Sequence, residues 1–290
     1  MSDTTMPNID LHEKSSKPAA GAEQSGSGAH VRPVPFRGGG FVYRPVRFVG
    51  PLVFLVLLGV WEAGTRSGLI SPLVLPTPAE SWHAFVNLAE SGMLWKHLAA
   101  STERLFIGWT VGTILGIAAG LMIGLFSVAR SGFQPLVSAL FPIPKIALLP
   151  LFVIWFGIDE GSKNATIIFG TFFPTVISTY SGVDNVDRTL IRMGQSFGLS
   201  WLSIVRKIVI PGAMPAILSG FRISASIAIV LLVAAEMIGA EFGVGAYVLM
   251  AGSLMATDQL IAGVAILSVM GLIIAWAIGL AEKYFLRWRT

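Results

Sequence analysis

The sequence predicts an all-α, polytopic integral membrane protein, because it is apolar, poorly charged and built from long apolar segments. Of its 290 residues, 54% are hydrophobic and 12% are charged, whereas soluble domains carry about 25% charged residues. The mean hydropathy is +0.74. About six segments are long enough to cross roughly 30 Å of hydrocarbon as helices; they lie near 46–65, 105–129, 135–157, 164–183, 214–238 and 259–281.

Residues 1–42 form a polar tail, and residues 43–290 form the predicted membrane domain. The tail is rich in Ser, Gly and Pro. Its few large apolar side chains cannot offset the entropy of ordering it, so we expect it to be disordered. Four arginines at or before the first span favour a cytoplasmic N-terminus: Arg32, Arg37, Arg44 and Arg47.

Residues 71–101, between the first two spans, are too charged to cross a membrane. We expect one or two amphipathic helices at the membrane surface, the first with Thr77 as N-cap and Pro78 in its first turn. The second span carries a glycine at every fourth residue, which predicts a face for close helix packing. These glycines are Gly108, Gly112, Gly116, Gly120 and Gly124.

The third segment is interrupted by prolines, with Pro144 and Pro150 on either side of Lys145. Prolines free backbone carbonyls, which a membrane tolerates only where protein or water satisfies them. A cation at membrane depth is a candidate functional residue. Lys145 is therefore predicted either to attract an anion into a water-filled path or, if the segment begins later, to reach the cytoplasmic surface.

Two further residues are candidates for a translocation path. Phe173 lies at mid-span of the fourth segment, where packing is its simpler role. Glu236 lies towards the end of the fifth segment. It could pair across a subunit interface, lie at an outer gate or be structural, and the structural role is the simplest.

A polar and basic stretch, Asp187–Pro211, lies within a predicted cytoplasmic loop, 185–211, and we call this stretch the elbow. Gly198 suits the end of one short helix because glycine tolerates a left-handed backbone. Ser200 is a good N-cap for a second helix, and Pro211 is expected to end the helical pattern. The elbow carries four cations: Arg188, Arg192, Arg206 and Lys207.

The distribution of basic residues predicts the orientation of the chain. Six spans put both termini on one side of the membrane. With the N-terminus inside, the inner loops hold Arg130, the elbow cations and a basic C-terminus, whereas the outer loops hold mainly Arg66, Lys96 and Lys163. This asymmetry favours a cytoplasmic elbow and cytoplasmic termini, and it explains the net charge of +4 without a nucleic-acid partner.

The sequence carries no recognisable catalytic site. It has no G-x-x-x-x-G-K-[ST] phosphate-binding loop and no cysteine. Its histidines lack metal-ligand spacing and fall in the tail or the outer loop: His12, His30, His83 and His97. We therefore expect a non-catalytic subunit with no cofactor of its own, which must receive energy for any driven transport from a partner.

The second half of the elbow resembles the EAA loop of binding-protein-dependent ABC importer permeases. That loop reads E-A-A, three residues, G, nine residues, I-x-L-P. Gly198 is followed by nine residues and then by Ile208-Val209-Ile210-Pro211, so that only Leu is replaced, by Ile. The E-A-A positions depart from the pattern and hold Arg192, Met193 and Gly194, without the carboxylate of the first position.

Other stretches resemble the sulfonate, taurine, nitrate and bicarbonate branch of these permeases. Leu75-Pro76-Thr77-Pro78 is similar to its LPSP turn. The run from Pro142 to Leu151, with Trp155-Phe156-Gly157, is similar to its IPxxALLPL…WFG stretch. Phe173-Pro174 and Ala235-Glu236-Met237 also match, and the resemblance covers about Leu75 to Arg289.

The resemblance implies a type I ABC importer permease in a bacterial inner membrane, in contact with membrane lipid. It implies a homodimer with the path near its two-fold axis, a periplasmic or lipid-anchored solute-binding protein and two cytoplasmic ATP-binding subunits. The ATP-binding subunits would contact the elbow through Arg192, Gly198, Ser200, Trp201, Arg206, Ile208 and Pro211.

Two kinds of alternative stay open at this point. Within the family, the predicted solute is a small organic anion, an aliphatic sulfonate or taurine, with nitrate, bicarbonate and pyrimidine-like solutes as alternatives. Outside it, the chain could be a self-contained channel, a secondary transporter or a membrane scaffold. A secondary transporter predicts ionisable relays in several spans and inverted repeats, and no repeat is visible in the sequence.

Overall fold

The computed structural model describes residues 48–71 and 73–286, so the tail predicted for residues 1–42 lies outside the described residues. The described residues from Val53 onwards belong to one compact unit. In chain order, the described α-helices are α1 (Val49–Arg66), α2 (Pro78–Glu90), α3 (Met93–Leu125), α4 (Ser127–Leu140), α5 (Leu149–Phe156), α6 (Glu160–Asp184), α7 (Arg188–Ser196), α8 (Trp201–Ile204), α9 (Ile210–Glu236), α10 (Val244–Ser253) and α11 (Thr257–Phe285).

Several of the described helices are long and apolar enough to cross a membrane. Five qualify singly: α1, α3, α6, α11 and the 36-residue helix Trp201–Glu236, which contains α8 and α9. Together, α4 and α5 would form a sixth span, although they meet at 92°. The predicted all-α fold with about six spans is therefore confirmed.

Prolines explain the sharp bend between α4 and α5. A 3-10 turn, Lys145–Leu148, separates the two helices and follows Pro144, whose backbone is extended. Pro150 lies in the first turn of α5, where its missing N–H needs no partner. The third predicted segment is thus two helices that meet at a sharp bend, and not one straight span.

A capping box begins α2 where the sequence predicts. The hydroxyl of Thr77 accepts from the backbone N–H of Glu80 at 3.2 Å, and the Glu80 carboxylate accepts from the backbone N–H of Thr77 at 2.8 Å. The hydrogen bonds from the backbone and side chain of Thr77 lower the pKa of Glu80. The predicted roles of Thr77 and Pro78 at the helix start are confirmed.

The second span begins earlier than predicted. Residues 93–104 belong to α3 and do not form a separate surface helix. Three polar side chains of this stretch, those of His97, Ser101 and Arg104, are buried with hydrogen-bond partners, which offsets the cost of burying them. The same span ends at Leu125, because Phe126 is extended and α4 begins at the next residue.

The predicted glycine stripe packs directly against α6. A Cβ on Gly116 would lie 2.7 Å from Cβ of Thr175, and one on Gly120 would lie 2.5 Å from Cβ of Thr179. The facing residues of α6 also recur at every fourth position: Ile167, Thr171, Thr175, Thr179 and Val183. We call this contact, residues 108–124 of α3 against residues 167–183 of α6, the glycine seam. The packing prediction is confirmed.

Helix α6 also packs closely against α9. Gly182 of α6 faces Ala216, and Gly220 of α9 faces Ser178. Further along the same helices, Ile167 and Leu232 are fully buried in one apolar cluster. Helix α6 therefore contacts both α3 and α9 through small residues, which fixes these three helices relative to one another.

We predict that Gly116→Ala destabilises the protein by about 1–3 kcal/mol, since one added methyl group overpacks the seam. The matched control is Gly59→Ala in α1, where an added Cβ meets nothing within 4 Å and alanine improves helix propensity. The thermal unfolding midpoints of the two purified variants in detergent test this. Equal midpoints would contradict tight packing at the seam.

Candidate functional site

The first helix of the elbow, α7, is capped at both ends. Asp187 accepts from the backbone N–H of Thr189 at 2.7 Å, a hydrogen bond that lowers the pKa of Asp187. Gly198 has φ +72° and follows the C-cap. Its N–H donates to Gln195 O, and the N–H of Leu199 donates to Gly194 O, which is a Schellman motif. The predicted helix end at Gly198 is confirmed.

The second helix of the elbow begins as predicted but does not end as predicted. Ser200 caps α8 by accepting from the backbone N–H of Ser203 at 3.4 Å. The helix then continues through a π-helical turn, Val205–Val209, into α9. Pro211 therefore lies in the first turn of α9 and does not end the pattern, because the wider π turn accommodates a residue without an N–H.

The predicted contact residues of the elbow divide into a packed group and an exposed group. Ile208 packs against a buried cluster that includes Ile204 and Val209. A Cβ on Gly194 would lie 2.9 Å from Cδ1 of Ile208, so α7 approaches this side chain closely at Gly194. Pro211 is half-buried. The exposed group comprises Arg192, Gly198, Ser200, Trp201 and Arg206.

Lys145 lies beside the middle of α6. Its ammonium group is 5.3 Å from the centre of the Phe173 ring and 4.9 Å from that of Phe141, and it donates to the backbone carbonyl of Phe141. Phe173 is buried and packs at 4.9 Å against the ring of Phe169. The structure thus brings Lys145 and Phe173 together, with Pro144 in the adjoining bend.

Glu236 lies apart from Lys145, in a buried ionic cluster at the end of the molecule opposite the elbow. One carboxylate oxygen of Glu236 accepts from Ser101 Oγ at 2.7 Å and from Arg104 Nη1 at 2.9 Å. Its other oxygen accepts from the backbone N–H of Gly245 at 2.9 Å. Its charge is thus neutralised within one chain.

Arg104 links three helices in this cluster. Its Nε and Nη2 atoms donate to the two carboxylate oxygens of Glu160, at 2.5 and 2.7 Å, while Nη1 reaches Glu236 and, at 2.6 Å, the carbonyl of Phe242. The Arg104 side chain is 7% exposed, whereas that of Glu160 is 57% exposed. One guanidinium therefore ties α3, α6 and α9 together through a planar, bidentate contact.

Arg104 was not among the residues predicted to be functional, and Lys163 and His97 do not lie in the outer loop where they were predicted. Lys163, predicted in an outer loop, is buried in α6 and donates to Ile158 O at 2.8 Å. His97, also predicted in the outer loop, is buried in α3 and accepts from the N–H of Gly243 at 3.0 Å. A signal was present: Arg104 lies four residues before Gly108, and Lys163 four residues before Ile167, so both extend the faces of the glycine seam.

Comparison with known proteins identifies what this arrangement resembles. The family described as "Binding-protein-dependent transport system inner membrane component" matches residues 112–287, more than half of the chain. The putative aliphatic sulfonates transport permease protein SsuC of Bacillus subtilis (strain 168) is 35% identical over 241 residues, which cover 83% of this chain and 87% of the relative.

A second relative is similar to this chain in sequence, and a solved structure is similar to it in fold. The taurine transport system permease protein TauC of Escherichia coli (strain K12) is 36% identical over 238 residues, which cover 80% of this chain and 86% of the relative. The fold matches an inward-facing structure of the MetNI methionine ABC transporter with a TM-score of 0.57 at 18% identity, over 67% of this chain and 96% of that chain.

We predict that Arg104→Met destabilises the protein by about 3–5 kcal/mol, because it leaves the Glu236 carboxylate buried without its cation. Adding Glu236→Gln to this variant should recover part of the loss. The control is Arg66→Met, which removes an exposed ion pair with Glu62 and should cost about 0–1 kcal/mol. Thermal unfolding in detergent measures all three variants, and a double variant no more stable than Arg104→Met would contradict the pairing.

Proposed function

Because the chain belongs to the inner membrane components of binding-protein-dependent ABC importers, as a non-catalytic permease subunit, we propose that it forms the path for a small organic anion, an aliphatic sulfonate or taurine. The observation that carries the choice of solute is the similarity to an aliphatic-sulfonate and a taurine permease, over 83% and 80% of the chain respectively. Nitrate, bicarbonate and pyrimidine-like solutes are the alternatives.

Lys145 supports an anionic solute. It is a cation in the bent α4–α5 segment. Its ammonium group contacts the rings of Phe141 and Phe173 and the backbone carbonyl of Phe141. No described carboxylate forms an ion pair with it. A sulfonate arriving at this point would meet an ammonium group whose charge has no counter-ion in the described chain.

The family implies an ABC importer complex with ATP-binding and solute-binding partners. Two copies of the permease in a homodimer would place their α4–α5 bends around a common path. Exposed apolar side chains beside the bend, among them Ile154 (78% exposed) and Trp155 (62%), support contact with a second copy or with lipid. The chain itself needs no cofactor in this proposal, since a partner hydrolyses ATP.

The elbow is the proposed contact with the ATP-binding subunits. It faces the cytoplasm in this proposal, as do both termini, and the Arg104–Glu236 end faces the solute-binding protein. Transport would follow from partners that bind two conformations of the permease with different affinities. The helix Trp201–Glu236 is continuous from the elbow to the ionic cluster. A rigid displacement of the helix at the elbow would therefore also displace its other end, at Glu236.

ATPase activity of the purified complex in proteoliposomes tests this function. We expect stimulation when the cognate solute-binding protein and an aliphatic sulfonate or taurine are added together, and none with either alone. Stimulation by nitrate, bicarbonate or a pyrimidine instead would keep the importer and overturn the solute. A chain that transports without any ATP-binding partner would be a channel or secondary transporter.

Replacement of Lys145 tests the anion path. We predict that Lys145→Ala lowers sulfonate uptake about tenfold, the value of one charge-assisted hydrogen bond, while Lys145→Arg retains most uptake. Lys283→Ala, which removes an exposed cation of α11 outside the bend, is the control. The measurement is uptake of labelled sulfonate into proteoliposomes at equal protein content. Unchanged uptake in Lys145→Ala would exclude a role for this cation in the path.

A further inference from the structure

Helix α4 is attached to the rest of the chain more loosely than α5. Within α4, all of which the structure describes, only Val137 is buried, in a cluster with Ile123 and Phe173. The shorter helix α5 has two buried side chains, those of Leu149 and Phe152. Segments with few buried contacts are the ones that move at low cost. Of these two bent helices, α4 is therefore the one that a small force would tilt.

The far end of α5 is fixed to the core, so movement of α4 has to be taken up at the bend between the two helices. The carbonyl of Ile158, two residues after α5, accepts from the buried Lys163 at 2.8 Å. A Cβ on Gly239 would lie 2.4 Å from Cγ2 of Ile158. Lys145 lies in the bend and donates to the carbonyl of Phe141, the C-cap of α4. The ammonium group of Lys145 would thus follow the end of α4.

The start of α4 contacts the elbow through one pair of aromatic rings. Phe126 separates α3 from α4 with an extended backbone, and the centre of its ring lies 5.6 Å from the centre of the Trp201 ring. Rings at this distance attract each other. One turn further, Arg130 pairs with Asp184 of α6, but both side chains are partly exposed and such a pair stabilises little. The elbow therefore contacts α4 at a helix boundary, the kind of position that absorbs the backbone change in a hinge.

We propose that Phe126 is a positioning residue that transmits a displacement of the elbow to α4. When Trp201 moves, the start of α4 moves with it, the helix tilts about its buried residue Val137, and Lys145 moves at the opposite end. The proposal rests on the proposed function, in which the ATP-binding subunits contact the elbow and Lys145 lies on the solute path. It adds that α4 is the mobile arm of the bend and α5 the fixed one.

The variant Phe126→Ala tests this contact without changing the elbow. Taurine uptake and ATP hydrolysis are measured on the complete complex in proteoliposomes. We expect Phe126→Ala to lower uptake per ATP hydrolysed about threefold to tenfold, the range that the loss of one aromatic pair implies, and Phe126→Tyr to retain it. The control is Phe133→Ala, because Phe133 of α4 is equally exposed, at 50%, and has no ring partner among the described residues.

A double-variant cycle separates transmission through the contact from a general effect on folding. If the two rings act through each other, Phe126→Ala has no further effect on uptake per ATP in a chain that already carries Trp201→Ala. If the two losses add in full, the rings have separate roles and the proposal is wrong.

A distance measurement tests the movement of α4 without depending on which solute is transported. The chain has no cysteine, so spin labels can be attached at introduced cysteines. One pair of exposed positions joins Ser131 of α4 to Ala275 of α11, and the control pair joins Ile154 of α5 to Ala275. Labelled chains are diluted with unlabelled ones, so that distances within one chain are recorded. We expect a non-hydrolysable ATP analogue to change the first distance and not the second, and Phe126→Ala to abolish the change.

The outcomes distinguish this proposal from the proposed function. If no ATP-binding subunit associates with the chain, both fail. If the complex forms and transports, but α4 keeps its distance from α11 or moves equally in Phe126→Ala, the proposed function stands and the role of Phe126 is excluded. If α5 moves as far as α4, the helices of the bend move together, which also excludes α4 as the separate mobile arm.

Discussion

The close approach of α3 and α6 at the glycine seam is the constraint on which the rest of the structure depends. In a membrane, helices gain little from the hydrophobic effect and associate through van der Waals packing of small residues. A Cβ at Gly116 or Gly120 would collide with α6, so the two backbones approach as closely as they do only because these positions lack one. The seam brings Arg104 of α3 next to Glu160 of α6.

The chain places its polar interactions at the two ends of this packed core. At one end, Arg104 and Glu236 form a buried pair with its hydrogen bonds satisfied inside the chain. At the other, the elbow leaves Arg188 and Arg192 without carboxylate partners in the described residues. Satisfied charges hold helices together, whereas unsatisfied ones at an exposed surface are available to another subunit.

The segment around Lys145 differs from both ends, because its irregular backbone lies beside the middle of α6. Pro144 and Pro150 prevent a straight helix there, and the 92° bend results. Non-helical backbone at membrane depth is tolerated only next to protein or a water-filled cavity. This is the physical reason to look for the solute path at the bend and not along the straight helices.

The sequence by itself determined the all-α membrane fold, the glycine face, and the helix caps at Thr77, Gly198 and Ser200, because these depend on local composition and spacing. It did not determine that the helix continues through Pro211, which follows a π-helical turn that accommodates a residue without an N–H. It also did not determine that Lys163 is buried. Only the tertiary structure decided the partners of Arg104 and Glu236, which are 132 residues apart. Such a pair forms because helix packing brings distant residues together, and no local pattern encodes that distance.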